Sequence, residues 1–227
     1  MGRSTGYRKK EMYRTNMKKD NPAIYKVKRF LRYKNEWWKE TMPANVDVFP
    51  WPDISSQDYR PATCAWVGTD GLSLFVYMET DETDIRAETK GFGYVHTDSC
   101  MEFFLEPAGV PSQKYLNFEF NPIGSMYLSI GTHRHDRIEL RKENFTDIFQ
   151  IKTKIFNEGW NLEYKIPLFF LKTFFPALEF SPGCLMRGNF YKCGDNTARP
   201  HFGCWSPIGL LKPDFHCPEF FGVLELM

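Results

Sequence analysis

Glu102 and Glu119 are the residues of this 227-residue chain whose types and spacing bear most directly on chemistry. Each sits in a short run that alternates with apolar residues, Cys100 to Leu105 (CMEFFL) and Tyr115 to Phe120 (YLNFEF). Alternate side chains of a strand point to opposite faces. Met101, Phe103 and Leu105 therefore share one face, and Cys100, Glu102 and Phe104 the other. From Leu116 to Asn121 the apolar set is Leu116, Phe118 and Phe120; the polar set is Asn117, Glu119 and Asn121. Between Arg187 and Cys193, the polar-leaning set is Arg187, Asn189 and Tyr191. If these runs share a sheet, one face is aromatic and the other carries Glu102, Asn117, Glu119, Arg187, Asn189 and Tyr191. Carboxylates, amides and a guanidinium beside aromatic rings can hydrogen-bond sugar hydroxyls and stack on pyranose faces. The same pattern describes a solvated sheet face with a cross-strand Glu102–Arg187 ion pair. It also admits a glycoside hydrolase, whose two carboxyls stand ~5–5.5 Å apart for retention or ~6.5–9.5 Å for inversion.

Other chemistries find less support. No Gly-x-Ser-x-Gly run exists, and Pro122-Ile123-Gly124-Ser125-Met126 does not fit a nucleophile elbow. His133 and His135 would share a strand face, but they lie in a charged stretch that reads as a solvated loop. The six cysteines, at 64, 100, 184, 193, 204 and 217, form no Cys-x-x-Cys pair and read as reduced, mostly buried thiols. Asp81-Glu82-Thr83-Asp84 offers oxygen ligands without a recognised calcium-loop spacing. Phosphate loops and dinucleotide fingerprints are absent.

The elements that must position these residues are strands. Leu72–Glu79, Cys100–Leu105, Tyr115–Phe120, Ser125–Ile130, Gln150–Phe156, Trp160–Ile166, Leu185–Tyr191 and Phe220–Leu226 are rich in aromatic and branched residues. Turn signals such as Asp70-Gly71, Asn121-Pro122 and Asn157-Glu158-Gly159 separate them. One short helix is expected over Pro167–Phe175, opening at a proline. The expectation is an all-β fold, an antiparallel β-sandwich of jelly-roll type.

Charge refines the domain picture. The whole chain carries 29 Lys+Arg against 28 Asp+Glu, which excludes a strongly basic nucleic-acid binder as its global description. Residues 1–40 hold 13 of the basic and 4 of the acidic residues, so residues 41–227 carry net −8. This predicts a basic, partly irregular segment over 1–36 and a sandwich domain over 37–227. The apolar stretches fall short of a membrane span, and no membrane insertion is expected. No apolar leader stands near Met1. The expected compartment is cytoplasmic for the chain as it stands, and secreted or periplasmic if a leader has been removed.

Four blocks then occur in order. They are Asp98-Ser99-Cys100-Met101-Glu102-Phe103-Phe104; Asn117-Phe118-Glu119-Phe120-Asn121 with Gly124; Arg187-Gly188-Asn189-Phe190-Tyr191-Lys192-Cys193-Gly194-Asp195 followed by Trp205-Ser206-Pro207; and Asp214-Phe215-His216-Cys217-Pro218-Glu219-Phe220-Phe221-Gly222. From about Trp37 onward the chain resembles the family 9 carbohydrate-binding modules and their relatives of the DOMON-like superfamily. The resemblance implies a non-catalytic β-sandwich that binds a saccharide, and family members often carry structural calcium. A monomer with no nucleic-acid partner and no required cofactor is expected. The resemblance also implies an aromatic clamp on the terminal sugar. Trp205 matches one clamp tryptophan. His96 stands at the position of the other, with Tyr94 as a nearby substitute. Glu102 matches the ligand-facing glutamate, and Asn189 lies in the matching strand. The expected ligand contacts are thus Trp205, His96, Glu102, Asn117, Glu119, Arg187, Asn189 and Tyr94. Two alternatives stand beside this reading: a glycan-active hydrolase using Glu102 and Glu119, and a degenerate module that binds another macromolecule.

Overall fold

The computed structural model describes residues 22–56, 58–109, 114–142 and 144–227. In chain order the elements are β1 (Ile24–Arg29), β2 (Ala44–Asn45), β3 (Thr63–Thr69), β4 (Ser73–Thr80), β5 (Cys100–Glu106), β6 (Tyr115–Phe120), β7 (Met126–Gly131), β8 (Ile138–Glu139), α1 (Phe145–Phe149), β9 (Lys152–Phe156), β10 (Gly159–Pro167), α2 (Leu168–Lys172), β11 (Leu185–Cys193), β12 (Phe202–Cys204) and β13 (Gly222–Leu226). All eight strands read from the sequence are present, and the expected helix is α2. No described helix is long and apolar enough to cross a membrane.

The strands run in the order β8-β7-β6-β5-β11-β13-β1-β3-β4-β10-β9, with β12 also on β11 and β2 also on β3. β1 joins two sheets. Its residues Ile24 to Val27 pair with β13, and Lys28 and Arg29 pair with β3, both in parallel. Every other strand pair is antiparallel. The fold is the expected all-β sandwich, but its sheet is mixed rather than purely antiparallel.

One strand, β1, lies before residue 37. The alternation of Tyr25 and Val27, both buried, against exposed Ile24 and half-buried Lys28 makes a strand before residue 37. Lysines on the outward side gave the segment its basic character while the inward side joined the core. The rest of the basic arm, residues 1–21, lies outside the described residues.

Alternation on β5, β6 and β11 fixes which side chains meet. Met101, Phe103, Leu105, Leu116, Phe118, Phe120 and Phe190 fill the space between the sheets, against Val76, Met78, Leu162, Tyr164 and Ile166 of the opposing strands. Phe103 stacks on Phe190 with ring centroids 4.7 Å apart. Each such ring contributes roughly 1.5–3 kcal/mol on burial. The opposite face of this sheet is not the solvated surface that the alternation permitted. Trp51, Val95, Ile208, Phe215, Cys217 and Phe221 come from loops and roof it over with a second apolar cluster, together with Phe104, Tyr115 and Tyr191. The Trp51 indole N–H donates to the Leu210 carbonyl at 2.7 Å and ties the roof down.

The core end of β11 holds a fully buried lysine. Lys192 Nζ donates to Glu82 Oε2 at 2.8 Å, to the Cys193 carbonyl at 2.9 Å and to His201 Nε2 at 2.8 Å. The Trp160 indole N–H also donates to Glu82 Oε2, at 3.1 Å. His201 Nδ1 donates to the Arg199 carbonyl at 2.8 Å. Burial, with Lys192 alongside, pulls the His201 pKa down to about 3, so its ring is neutral and can accept from the ammonium. Removing one partner of a buried ion pair leaves an uncompensated charge and costs about 3–5 kcal/mol. Lys192→Ala is therefore expected to lower unfolding stability by about that amount in a denaturant titration. The double variant Lys192→Met, Glu82→Gln should recover most of the loss.

Candidate functional site

Under the roof, the second face of the β5–β6–β11 sheet keeps one opening. It is a cleft of about 350 Å³ lined by His96, Glu102, Phe104, Glu119, Arg134, Cys193, Asp195, Phe202, Pro213, Asp214, Phe215 and His216. Its floor is set by strand register. Glu102 pairs directly with Glu119 across β5 and β6, and with Tyr191 across β5 and β11. Directly opposed residues place their Cβ atoms about 4.5–5.5 Å apart, so the two carboxyls project into one space.

The surroundings treat the two carboxyls differently. The Asn117 amide donates to Glu119 Oε1 at 2.6 Å. The Asn117 carbonyl oxygen accepts from Ser129 Oγ at 2.5 Å and from Arg137 Nε at 3.1 Å. Arg137 is itself held over the Tyr115 ring, 4.3 Å from its centroid. Asn117 is thus clamped with its amide toward Glu119. The other oxygen, Oε2, is buried without a hydrogen-bond partner, 4.0 Å from His96 Nδ1. Glu102 Oε1 accepts from the Cys193 thiol at 3.0 Å. Burial raises the pKa of both carboxyls; for Glu102 the neighbouring Glu119 raises it further. Glu119 is pushed up to about 7 despite the Asn117 bond. Burial also pushes the Cys100 thiol to about 12.

The cleft walls come from loops. Arg134 Nε donates to Asp214 Oδ1 at 3.0 Å, bridging the loop after β7 to the loop before β13. His216 Nδ1 lies 2.9 Å from the Tyr115 hydroxyl, and burial beside Arg137 and Arg134 pulls the His216 pKa down to about 3. Phe215 stacks on Tyr191 at 4.1 Å and nearly parallel. The Tyr191 hydroxyl donates to the Phe215 carbonyl at 3.1 Å.

Of the expected ligand contacts, the structure brings Glu102, Glu119 and His96 into the cleft. Asn117 stands behind Glu119. Tyr94 is at the rim, 60% exposed, with its ring 5.9 Å from that of His96 and 5.4 Å from that of Tyr127. Trp205 is elsewhere. Cys204 pairs with Tyr191 on the roofed face, so the next residue points to the other side of the sheet. Its indole packs on Tyr25 and Phe190, with centroids 6.4 and 5.5 Å away, over the glycine backbone of Gly222. Arg187 does not reach Glu102. It pairs with Glu106 at 2.7 Å and donates to the Pro218 carbonyl at 2.6 Å, because β11 register sets Arg187 opposite Glu106. Asn189 is fully buried, donating to the Ser206 carbonyl and accepting from the Ser206 and Phe190 amides. It closes the chain after β12 onto β11, and it is not among the residues that line the cleft.

No local pattern marks Cys193, Asp195, Asp214, Phe215 or His216 as cleft residues, although all lie in the blocks that carry the resemblance. Arg134 was read as part of a solvated loop; Asp136 does close that loop, accepting from the Thr132 and His133 amides. The calcium expectation does not fit the Asp81–Asp84 stretch. Glu82 is buried against the Lys192 ammonium, and Asp84 faces Arg199 at 3.8 Å.

The described residues thus form a two-sheet β-sandwich with a roofed polar cleft on one sheet. The chain belongs to carbohydrate-binding family 9, whose family model matches residues 38–226. It is a non-catalytic carbohydrate-binding protein, and the hydrolase alternative for Glu102 and Glu119 falls away. Among solved structures it is similar to a Bacteroides uniformis protein to which carbohydrate binding is ascribed. That likeness has TM-score 0.77 and 28% identity, and covers 91% of this chain and all of the other. Two structures of a family 9 module from Caldicellulosiruptor kristjanssonii share the fold. The glucose complex has TM-score 0.62 and 15% identity, covering 90% of this chain and 96% of the other. The cellotriose complex has TM-score 0.63 and 14% identity, covering 90% and 93%. No curated protein matches the sequence.

The raised carboxyl pKa values make stability fall as pH rises. In the interval from the unfolded value of 4.5 to about 7, folded Glu119 holds a proton that the unfolded chain has released. Its contribution is complete below pH 4.5 and is lost as pH passes about 7. His201 and His216, neutral in the fold with pKa values of about 3, push stability the opposite way over much of this window, so the test is a difference: the urea midpoint of wild type, relative to that of Glu119→Gln, should fall between pH 4.5 and about 7. A parallel slope in the variant would show that Glu119 does not titrate there.

Proposed function

We propose that the cleft over β5, β6 and β11 is the saccharide site of this module. The observation that carries the reading is the buried Glu102–Glu119 pair on the floor of an opening of about 350 Å³. That volume lies in the range of about 300–1,000 Å³ usual for small-molecule sites. The pair supplies what a pyranose needs along its edge. A carboxylate accepts from hydroxyls, and a carboxyl that keeps its proton near neutral pH also donates. Glu119 Oε2, without a protein partner, is the acceptor most in need of a hydroxyl. Stacking falls to half-buried Phe202 and His96, with Tyr94 extending the platform at the rim; no tryptophan lines the cleft. Trp205, Arg187 and Asn189 shape the sheet and its loops and do not touch the sugar.

The glucose and cellotriose held by the Caldicellulosiruptor kristjanssonii module make glucose-terminated glycans the first probes. Isothermal titration of the full chain against glucose and cello-oligosaccharides should show saturable binding. Hydrogen bonds to charged groups are worth about 1.5–3 kcal/mol, so Glu102→Ala and Glu119→Ala should each weaken binding by roughly 10- to 100-fold. Trp205→Phe should leave affinity unchanged. Full affinity in both glutamate variants, with folding confirmed by circular dichroism, would move the site out of this cleft.

A further inference from the structure

We infer that the floor of the cleft is also a zinc site, formed by Cys100, Cys193 and Glu102 with Glu119 or His96 as the fourth ligand. Among the described residues these three are the cluster of metal-ligating side chains: one atom from each lies within 4.8 Å of the others, and all three residues are buried. Their convergence follows from register. Cys100 and Cys193 are direct cross-strand partners of β5 and β11, and Glu102 is two residues along β5 on the same face.

Geometry and chemistry agree on the ion. Zinc takes sulfur at about 2.3 Å and carboxylate oxygen at about 2.0–2.2 Å, so tetrahedral ligand atoms stand roughly 3.4–3.8 Å apart. Cys193 Sγ and Glu102 Oε1 are 3.0 Å apart, which requires the pair to open by well under about 1 Å. Two sulfurs with one oxygen favour a borderline-soft ion over calcium or magnesium. A second observation points the same way: Glu119 Oε2 is buried with no hydrogen-bond partner, and His96 Nδ1 stands 4.0 Å from it. Neither is within the converged set as it stands, so one of the two would have to swing in to complete the coordination. A dication would also remove the conflict of two carboxyls sharing one enclosed space, and each ligating thiol would release its proton to solvent. Cys193 and Glu102 line the cleft, so the ion has a route in from solvent.

The inference is independent of the saccharide reading, because metal uptake is measured with no sugar present. The full chain, reduced and shown to be folded, is titrated with zinc against a competing chelator. It is titrated separately with cobalt(II), whose thiolate charge-transfer absorption reports sulfur ligation. One equivalent of zinc per chain and a cobalt thiolate band are expected. Cys100→Ser, Cys193→Ser and Glu102→Gln should each weaken zinc binding at least tenfold, and Cys64→Ser and Cys184→Ser should not. If a serine variant fails to fold, the wild-type cobalt spectrum and the Glu102→Gln titration decide. A folded chain that takes up no zinc, a cobalt complex without the thiolate band, affinity unmoved by Glu102→Gln, or a Cys100–Cys193 disulfide in the protein as purified would overturn the inference.

Discussion

Two carboxyl groups set directly opposite each other on neighbouring buried strands are a costly arrangement, and much of this molecule is organised around Glu102 and Glu119. Like charges in an enclosed space oppose ionisation, and the second face of the β5–β6–β11 sheet is enclosed by its roof. The protein answers with one donor to each carboxyl. Arg137, held over Tyr115, orients Asn117, and Asn117 donates to one oxygen of Glu119. Cys193 donates to one oxygen of Glu102. The remaining capacity of Glu119 faces His96 and the opening. A face that needed only stability would have spent these positions on apolar residues, as the other face does with Phe103, Phe118 and Phe120.

The sequence carried the parts of this arrangement that depend on period two. Apolar–polar alternation in Cys100–Leu105 and Tyr115–Phe120 placed Glu102 and Glu119 on a common face, and the turn signals between runs gave eight of the strands. It did not carry β1, because a strand with lysines on its outward side reads as a basic tail. Nor did it carry the roof. Trp51, Phe215 and Phe221 are brought over the polar face by loops whose course no local periodicity encodes. Register also lay beyond local pattern. Placing Arg187 opposite Glu106 rather than Glu102 is a shift of four residues along β5, invisible to alternation because four preserves the face. Trp205 is the reverse case. One residue past Cys204 changes the face, so a side chain aligned with a clamp position went to the core side instead.

The strand β11 allows a comparison between two ways of burying charge. Its neighbouring residues Lys192 and Cys193 point to opposite faces. On the core side, Lys192 meets an opposite charge on Glu82, a neutral imidazole and a carbonyl, and Trp160 adds a further donor to the carboxylate. That cluster pairs opposite charges on the core side of the strand, although Glu82 Oε1, like Glu119 Oε2, is buried without a hydrogen-bond partner. On the roofed side, Cys193 meets a carboxyl whose cross-strand partner is another carboxyl, and the set borders an opening. A buried ion pair of opposite sign compensates its own charge. A like-charged pair has no such internal compensation, and hydroxyl donors or a cation are the chemistries that supply it. The difference in sign between the two clusters, on adjacent residues of one strand, is what separates a structural clasp from a binding site in this fold.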